Sequence, residues 1–260
     1  MSPDYSIKNS GTFLQTTGST GPSKSLFIIS NDINPNMGVL DKLFRIKKKT
    51  FLISDLHFGH ELTLLFVPRP FESTHDMNVA LIKNWNDTVK SGDVIWHLGD
   101  LNWTQHPKFW IHKLHGKALF IRGNHDTHSR WMKPYAILRR GEHSFILVHD
   151  PDDDNYIIPS NYSGWIIHGH HHGGRDKDGN LYPFIDGINK RINVVAELVN
   201  YRPVDLDWII SLDLDTIKWM STINDVPQRW AAGEERPQLP VPRAKPKSRP
   251  RARSKWQKKR

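Results

Sequence analysis

Cysteine is absent from the 260 residues. Disulfide frameworks, cysteine-ligated zinc, iron–sulfur clusters and thiol nucleophiles are therefore excluded. The absence fits a reducing compartment, and the protein is expected to work in the cytoplasm. The chain also has no run of eighteen apolar residues and no apolar segment at its start. Neither a membrane-spanning helix nor a secretory leader is expected, and no membrane insertion. Acidic residues are missing from Arg236 to Arg260, where eleven Lys or Arg are concentrated. The remainder holds 25 basic and 27 acidic groups, so the formal net charge of +9 belongs to the end of the chain. The body is close to neutral, and a nucleic-acid-binding role for the whole protein does not follow from its charge. What the chain does have is histidine, 15 in all. Without cysteine, His, Asp and Asn are the natural donors for any bound metal.

Composition divides the chain into three parts. Residues 1–48 form an N-terminal extension whose first 25 residues, rich in Ser, Thr, Gly and Asn, read as a flexible arm. Within it Leu26 to Ser30 is a candidate short strand. Residues 49–225 form the domain. Residues 226–260, rich in Pro, Arg and Lys, read as a disordered basic tail suited to contact with an anionic surface, most simply RNA, DNA or phosphate-rich lipid. In the domain, apolar runs bounded by Gly, Asp, Asn and His alternate with amphipathic stretches. The predicted strands are Thr50–Ser54, Val94–Leu98, Ala118–Arg122, Phe145–His149, Trp165–His168 and Arg191–Leu198, and Val204–Ile210 closes the domain. The predicted helices are Asp76–Lys90, with Val79, Leu81, Ile82, Trp85 and Val89 as its apolar positions, and Pro107–Leu114. The alternation predicts an α/β domain, with hairpins after about residue 134 adding antiparallel character.

Polar residues fall in a telling place. Five of the predicted strands run directly into metal-ligand types: Asp55-Leu56-His57, Gly99-Asp100, Gly123-Asn124-His125-Asp126, His149, and His168-Gly169-His170-His171-His172. Ligands of open α/β sheets gather at the carboxyl ends of strands, so five such ends can converge. A carboxylate bridges two ions through its two oxygens, an Asn offers a neutral oxygen, and neutral imidazoles complete the shells. Mixed O and N donors without sulfur suit Mn²⁺, Fe, Zn²⁺, Ni²⁺ or Co²⁺ better than Ca²⁺. In the last cluster His170 and His172 are chosen over His171, because alternate residues leave a strand end on one side.

The ordered series Asp-x-His, Gly-Asp, Gly-Asn-His, His and Gly-His-x-His resembles the calcineurin-like metallophosphoesterase superfamily. The resemblance spans about Thr50 to Ile210. The run Ser54 to His60, then Arg69-Pro70-Phe71, then Arg191-Ile192-Asn193-Val194 and Asn200 to Val204, is similar to a small bacterial and phage subgroup of metallophosphatases. The resemblance implies a four-layer α/β/β/α sandwich of two mixed sheets. It implies two divalent ions, Mn²⁺ first among them. Asp55, His57 and His172 would bind one ion, Asn124, His149 and His170 the other, and Asp100 would bridge. Hydroxide between the ions would attack a phosphate mono- or diester in line, and His125, not a ligand, would protonate the leaving oxygen. Arg122, His60 and Arg69 would contact phosphate. A nucleotide or nucleic acid is within the implied substrate range.

One departure stands out. The phosphoprotein phosphatase branch places an Asp three residues after its Gly-Asp motif to orient the catalytic His. Trp103 stands there in this chain, preceded by Asn102, which leaves open what orients His125. Trp103, Phe109, Trp110 and Trp131 are read as core or lid packing, with a base-stacking pocket as the alternative. A second functional reading is a nucleic-acid-associated scaffold that relies on the tail. It would be expected to have lost a ligand, whereas all seven are present.

Overall fold

The computed structural model describes residues 48–103, 106–126, 131–153, 162–175 and 178–234, together with the backbone of 28 and 29. The expected flexible arm and the basic tail from 235 onward lie outside the described residues.

Two mixed sheets carry the fold, as expected of the sandwich. The smaller holds β2 (Thr50–Ile53), β3 (Val94–His97), β4 (Lys117–Phe120) and β10 (Val204–Asp205) in the order β10-β2-β3-β4. Strands β2, β3 and β4 are parallel, and β10 runs antiparallel along β2. Every residue of β2 is buried, which its unbroken Thr-Phe-Leu-Ile run foretells for a strand covered on both faces. The larger sheet contains β1 (Ile28–Ile29), β5 (Ala136–Arg140), β6 (His143–Leu147), β7 (Trp165–His168), β8 (Ile185–Asp186), β9 (Arg191–Asn193), β11 (Ile217–Met220) and β12 (Gln228–Arg229), in the order β1-β5-β6-β7-β9-β8-β11-β12. Strands β6, β7 and β9 are mutually parallel at its centre. The β5–β6 hairpin turns through Gly141 and Glu142, with Gly141 at φ 58°, the left-handed conformation such a two-residue turn demands.

Among the described residues, the α-helices beside the sheets are α1 (Thr63–Phe66), α2 (Thr74–Thr88), α3 (Pro107–Ile111) and α4 (Leu206–Ser211). Helix α2 starts two residues before its predicted start because Ser73 caps it, accepting from the Asp76 N–H at 3.1 Å. Its buried stripe is Met77, Leu81 and Trp85, at i, i+4 and i+8, whereas Val79 points to solvent. The core joins both sheets through large side chains such as Trp85, Trp96, Phe145 and Phe184. Among the described residues, no helix is long and apolar enough to cross a membrane.

Further predicted boundaries change. The strand from Arg191 ends at Asn193, not Leu198, because the Asn193 Oδ1 accepts from the Val195 N–H at 3.2 Å and turns the chain. A short 3₁₀ helix, Ala196–Val199, follows. Helix α3 stops at Ile111, short of Leu114. Strand β12 pairs with β11 beyond the expected domain edge at 225, so the sheet extends to Arg229. The two sheets meet at one edge. Ser54, just past β2, bridges Val195, and the Val194 N–H donates to the His168 carbonyl at 2.9 Å. Strand ends from both sheets therefore face one another across a short gap.

Candidate metal centre

The loops at that edge are stitched by backbone hydrogen bonds. The Asp55 N–H donates to Gly99 O, the His57 N–H to Asp100 O and the Gly169 N–H to His149 O, at 2.9–3.0 Å. Asp55, His57, Asp100 and His170 all have left-handed backbones, with φ of 58°, 51°, 56° and 73°. Such a backbone costs a residue with a side chain on the order of 1–2 kcal/mol. Strain of this kind concentrates where surrounding structure over-determines a functional geometry.

The left-handed turns let alternate residues aim inward. One set holds Asp55 Oδ1, His57 Nε2 and His172 Nε2. The two imidazole nitrogens lie 3.2 Å apart, and the Asp55 oxygen is 3.8 Å from His57 and 3.5 Å from His172. A second set holds Asn124 Oδ1, His149 Nε2 and His170 Nδ1, separated by 2.8, 3.2 and 3.2 Å. Between them stands Asp100, whose Oδ2 is 3.7 Å from His57 Nε2 and 3.5 Å from His149 Nε2. Asp55 also reaches the second set, where Asp55, Asp100 and His149 form a compact group.

The far nitrogen of several rings faces an acceptor. His149 Nδ1 lies 2.8 Å from the Leu98 carbonyl and must donate to it. His172 Nδ1 lies 3.2 Å from both oxygens of Glu197, and His170 Nε2 faces Asp150 Oδ2 at 3.6 Å. In the neutral rings of His149 and His172 the lone pair therefore points into the gap. His171 turns away and stacks on Tyr182 at 3.5 Å between ring centres. His170, and not His171, therefore lies beside Asn124 and His149. Asp150, Asp152 and His171 make a further acidic group, but Asp152 is already taken by Arg191 at 2.9 Å and the Tyr182 hydroxyl at 2.6 Å. His168 Nδ1 meets only the neighbouring Gly169 carbonyl.

Comparison with known proteins gives the family. The calcineurin-like phosphoesterase superfamily domain matches residues 49–182. The chain belongs to that superfamily. An uncharacterized protein of Methanocaldococcus jannaschii is 40% identical over 183 residues, covering 69% of this chain and 98% of the relative. The Gene 66 protein of Mycobacterium phage L5 is 32% identical over 82 residues, covering 30% of this chain and 39% of its own. A solved protein of unknown function from Aquifex aeolicus shares 24% identity with a TM-score of 0.49, over 64% of this chain and all of its own. Calcineurin-like phosphoesterases are metal-dependent hydrolases of phosphoester bonds, so the donor sets have to be tested against divalent ions.

They fit. Donors held about 2.1 Å from one ion stand roughly 3–3.4 Å apart, close to the separations within each set. Asp55 Oδ1 is fully buried and has no hydrogen-bond partner, an arrangement costly without a cation. The electrostatics agree. Burial by itself would raise the Asp100 carboxyl, but His149 and His57 hold it well below the carboxylate range. Burial also disfavours charge on His149, yet Asp55 and Asp100 override it and push that ring to about 10. The pocket thus calls for positive charge, and a cation bound there would take the place of the His149 proton. His57, where burial dominates, is held well below its ordinary value and stays neutral, as a ligand must be.

In this phosphoesterase-family site the remaining expected residues divide. His125 sits at the open edge, its side chain 36% exposed and its Nε2 3.8 Å from Asp100 Oδ2. Its backbone N–H donates to Asp100 Oδ1 at 3.0 Å, and its ring lies edge-on to Trp103 at 4.9 Å. Trp103, standing where the phosphoprotein phosphatase branch has an Asp, thus packs on that ring. Asp126 does not reach that ring. Its buried carboxylate accepts the N–H groups of Asp100, Leu101 and Gly123 at 2.8, 3.2 and 2.9 Å, clamping two loops together. His60 is half-buried, 2.6 Å from the Thr63 hydroxyl and stacked on Trp103. Arg122 is exposed one residue before Gly123.

Arg69 corrects an expectation. Its guanidinium is fully buried, pairs with Glu197 at 2.6 Å and donates to the Asp55 and Leu56 carbonyls at 2.7 and 3.0 Å. It braces the Asp55 loop from behind and has no free face for phosphate. Glu197 is the residue that sequence reasoning missed. It joins Arg69 to His172 from 25 positions beyond that histidine, and no local spacing marks it.

Proposed function

We propose that this protein hydrolyses a phosphate mono- or diester with two divalent cations in place. Manganese is the first to test, given oxygen and nitrogen donors without sulfur. The observation that carries the reading is the convergence of seven donors into two adjoining sets on either side of Asp100. Divalent cations at such a site supply Lewis acidity, lowering the pKa of water from 15.7 toward about 7 and offsetting charge on phosphoryl oxygens. Asp55, His57 and His172 would hold one ion, Asn124, His149 and His170 the other, with Asp100 shared. Water, giving up one proton to solvent, attacks phosphorus in line with the departing oxygen. As the P–O bond breaks, that oxygen takes a proton from His125 Nε2, which solvent then replaces. Asp100 keeps that ring close by accepting its backbone N–H. Arg122 and His60 are proposed to meet the phosphate, and Arg69 is left as a brace.

The test compares His125→Ala with His149→Ala for bound metal and for hydrolysis of p-nitrophenyl phosphate, its bis ester, cyclic nucleotides and dinucleotides. His125→Ala is expected to retain metal and lose about 10²–10⁴-fold in rate, the range of a general acid. The loss shrinks for p-nitrophenyl leaving groups, which need little protonation. His149→Ala is expected to lose metal. Equal metal loss in both variants, or no hydrolysis of any ester by manganese-loaded wild type, overturns the assignment.

A further inference from the structure

Trp103 is half exposed, yet its backbone is firmly seated. Its N–H donates to Phe58 O at 3.0 Å, and the Phe58 N–H donates to Leu101 O at 2.9 Å. Phe58 itself is buried and stacks on Trp110 at 4.7 Å with an 8° interplanar angle. The backbone that carries the indole is therefore anchored to a residue of the core. One side is lined by His60, stacked at 4.2 Å and 7° and held by the Thr63 hydroxyl. Its edge meets His125, the ring placed to protonate the leaving oxygen, at 4.9 Å. Phe109 and Trp131 are also about half exposed, but Phe109 packs on Trp110 and Trp131 on Phe120, away from these histidines. Trp103 alone among these three carries exposed aromatic surface to the leaving-group side of the site.

We propose that Trp103 is a stacking platform for a planar base attached to the leaving group, and that the substrates are phosphate esters of nucleosides. The inference rests on the reaction proposed above, since it takes the leaving group to lie beside His125. A leaving alcohol close enough to accept the His125 proton places its substituent against the indole. A flat π-surface on a rigid footing favours another flat ring, and it does so for any base. Removing one such stacking partner costs about 5- to 100-fold in affinity.

The experiment uses manganese-loaded wild type, Trp103→Ala and Trp103→Phe, each checked for metal content and thermal midpoint. Calorimetry measures binding of the uncleavable methylene phosphonate analogues of adenosine 5′-monophosphate and ribose 5-phosphate. Kinetics give kcat/KM for a dinucleotide and for the same diester whose leaving sugar lacks its base. Wild type is expected to prefer the base-bearing member of each pair. Trp103→Ala is expected to shrink that preference by about 5- to 100-fold, and Trp103→Phe to restore most of it. No preference in wild type, or equal losses on base-bearing and base-less ligands in Trp103→Ala, overturns the proposal. If no variant cleaves any ester, the reaction reading falls, while the binding ratio still decides the platform.

Discussion

Gly123 is the place where adding a single methyl group is expected to do the most damage to the site. A Cβ there would stand 2.0 Å from Asp100 Oδ1 and 2.4 Å from Asp100 N. Ordinary carbon–oxygen contacts are about 3.3 Å or longer, so in Gly123→Ala the two loops must part by roughly 1.3 Å. They have little slack. Asp126 binds the N–H groups of Gly123, Asp100 and Leu101 with one carboxylate. The Asp100 oxygen struck by the methyl also receives the His125 N–H. Its other oxygen stands between the two donor sets. A misplacement of about 1 Å at reacting groups costs on the order of 100-fold in rate. Overpacking a tight site costs about 1–3 kcal/mol, or roughly 2–12 °C in thermal midpoint for a domain of this size. The assay is metal content by mass spectrometry, manganese titration calorimetry and hydrolysis of bis-p-nitrophenyl phosphate. Gly92→Ala is the control, since no atom lies within 4 Å of its added Cβ, and it is expected to stay within about 0.5 kcal/mol of wild type. Gly123→Ala with wild-type metal content and turnover would refute the claim that close backbone approach holds Asp100 in place.

Two further outcomes are expected. Glu197→Gln weakens metal binding by about 10- to 100-fold, because the carboxylate behind His172 is lost. Burial alone would raise Glu197, but the His172 hydrogen bond and the Arg69 charge outweigh it and bring the group to about 2, below its ordinary 4.5. Its stabilising contribution is therefore complete above pH 4.5 and fades as pH falls toward about 2. Acid unfolding curves of Glu197→Gln should lack that component, and a curve identical to wild type contradicts the pairing. Removal of Arg236 to Arg260, with its eleven basic residues, is expected to leave the thermal midpoint unchanged. It should lower RNA or DNA affinity at low salt and flatten the salt dependence by about 0.7–0.9 in log–log slope per lost phosphate contact. Equal affinities with and without the tail would remove the case for a nucleic-acid arm.

Local order along the chain determined a good deal by itself. Unbroken runs such as Thr50–Ile53 and Val94–His97 mark buried strands, and Asp, Asn or His directly after such runs marks the strand ends that converge at the candidate site. The missing cysteine limited the donors to oxygen and nitrogen, and the concentration of basic charge after residue 235 separated tail from body. These features are short in range, and each is visible within a few residues.

Tertiary structure decided the rest. Whether His170 or His171 faces the gap depends on a left-handed backbone at His170 and on Tyr182 waiting for His171. The predicted role of Arg69 changed because Glu197, 128 positions away, pairs with it beneath Asp55. Asp126 stands next to His125 in sequence, yet its carboxylate is spent on the Asp100 loop. The strand from Arg191 stops early because Asn193 bonds back to Val195 and across to His171 and Tyr182. Each of these outcomes turns on a polar side chain choosing among distant partners once the sheets have brought them near. Apolar patterning determines which face of a segment is buried, but it carries no record of which buried polar groups will meet.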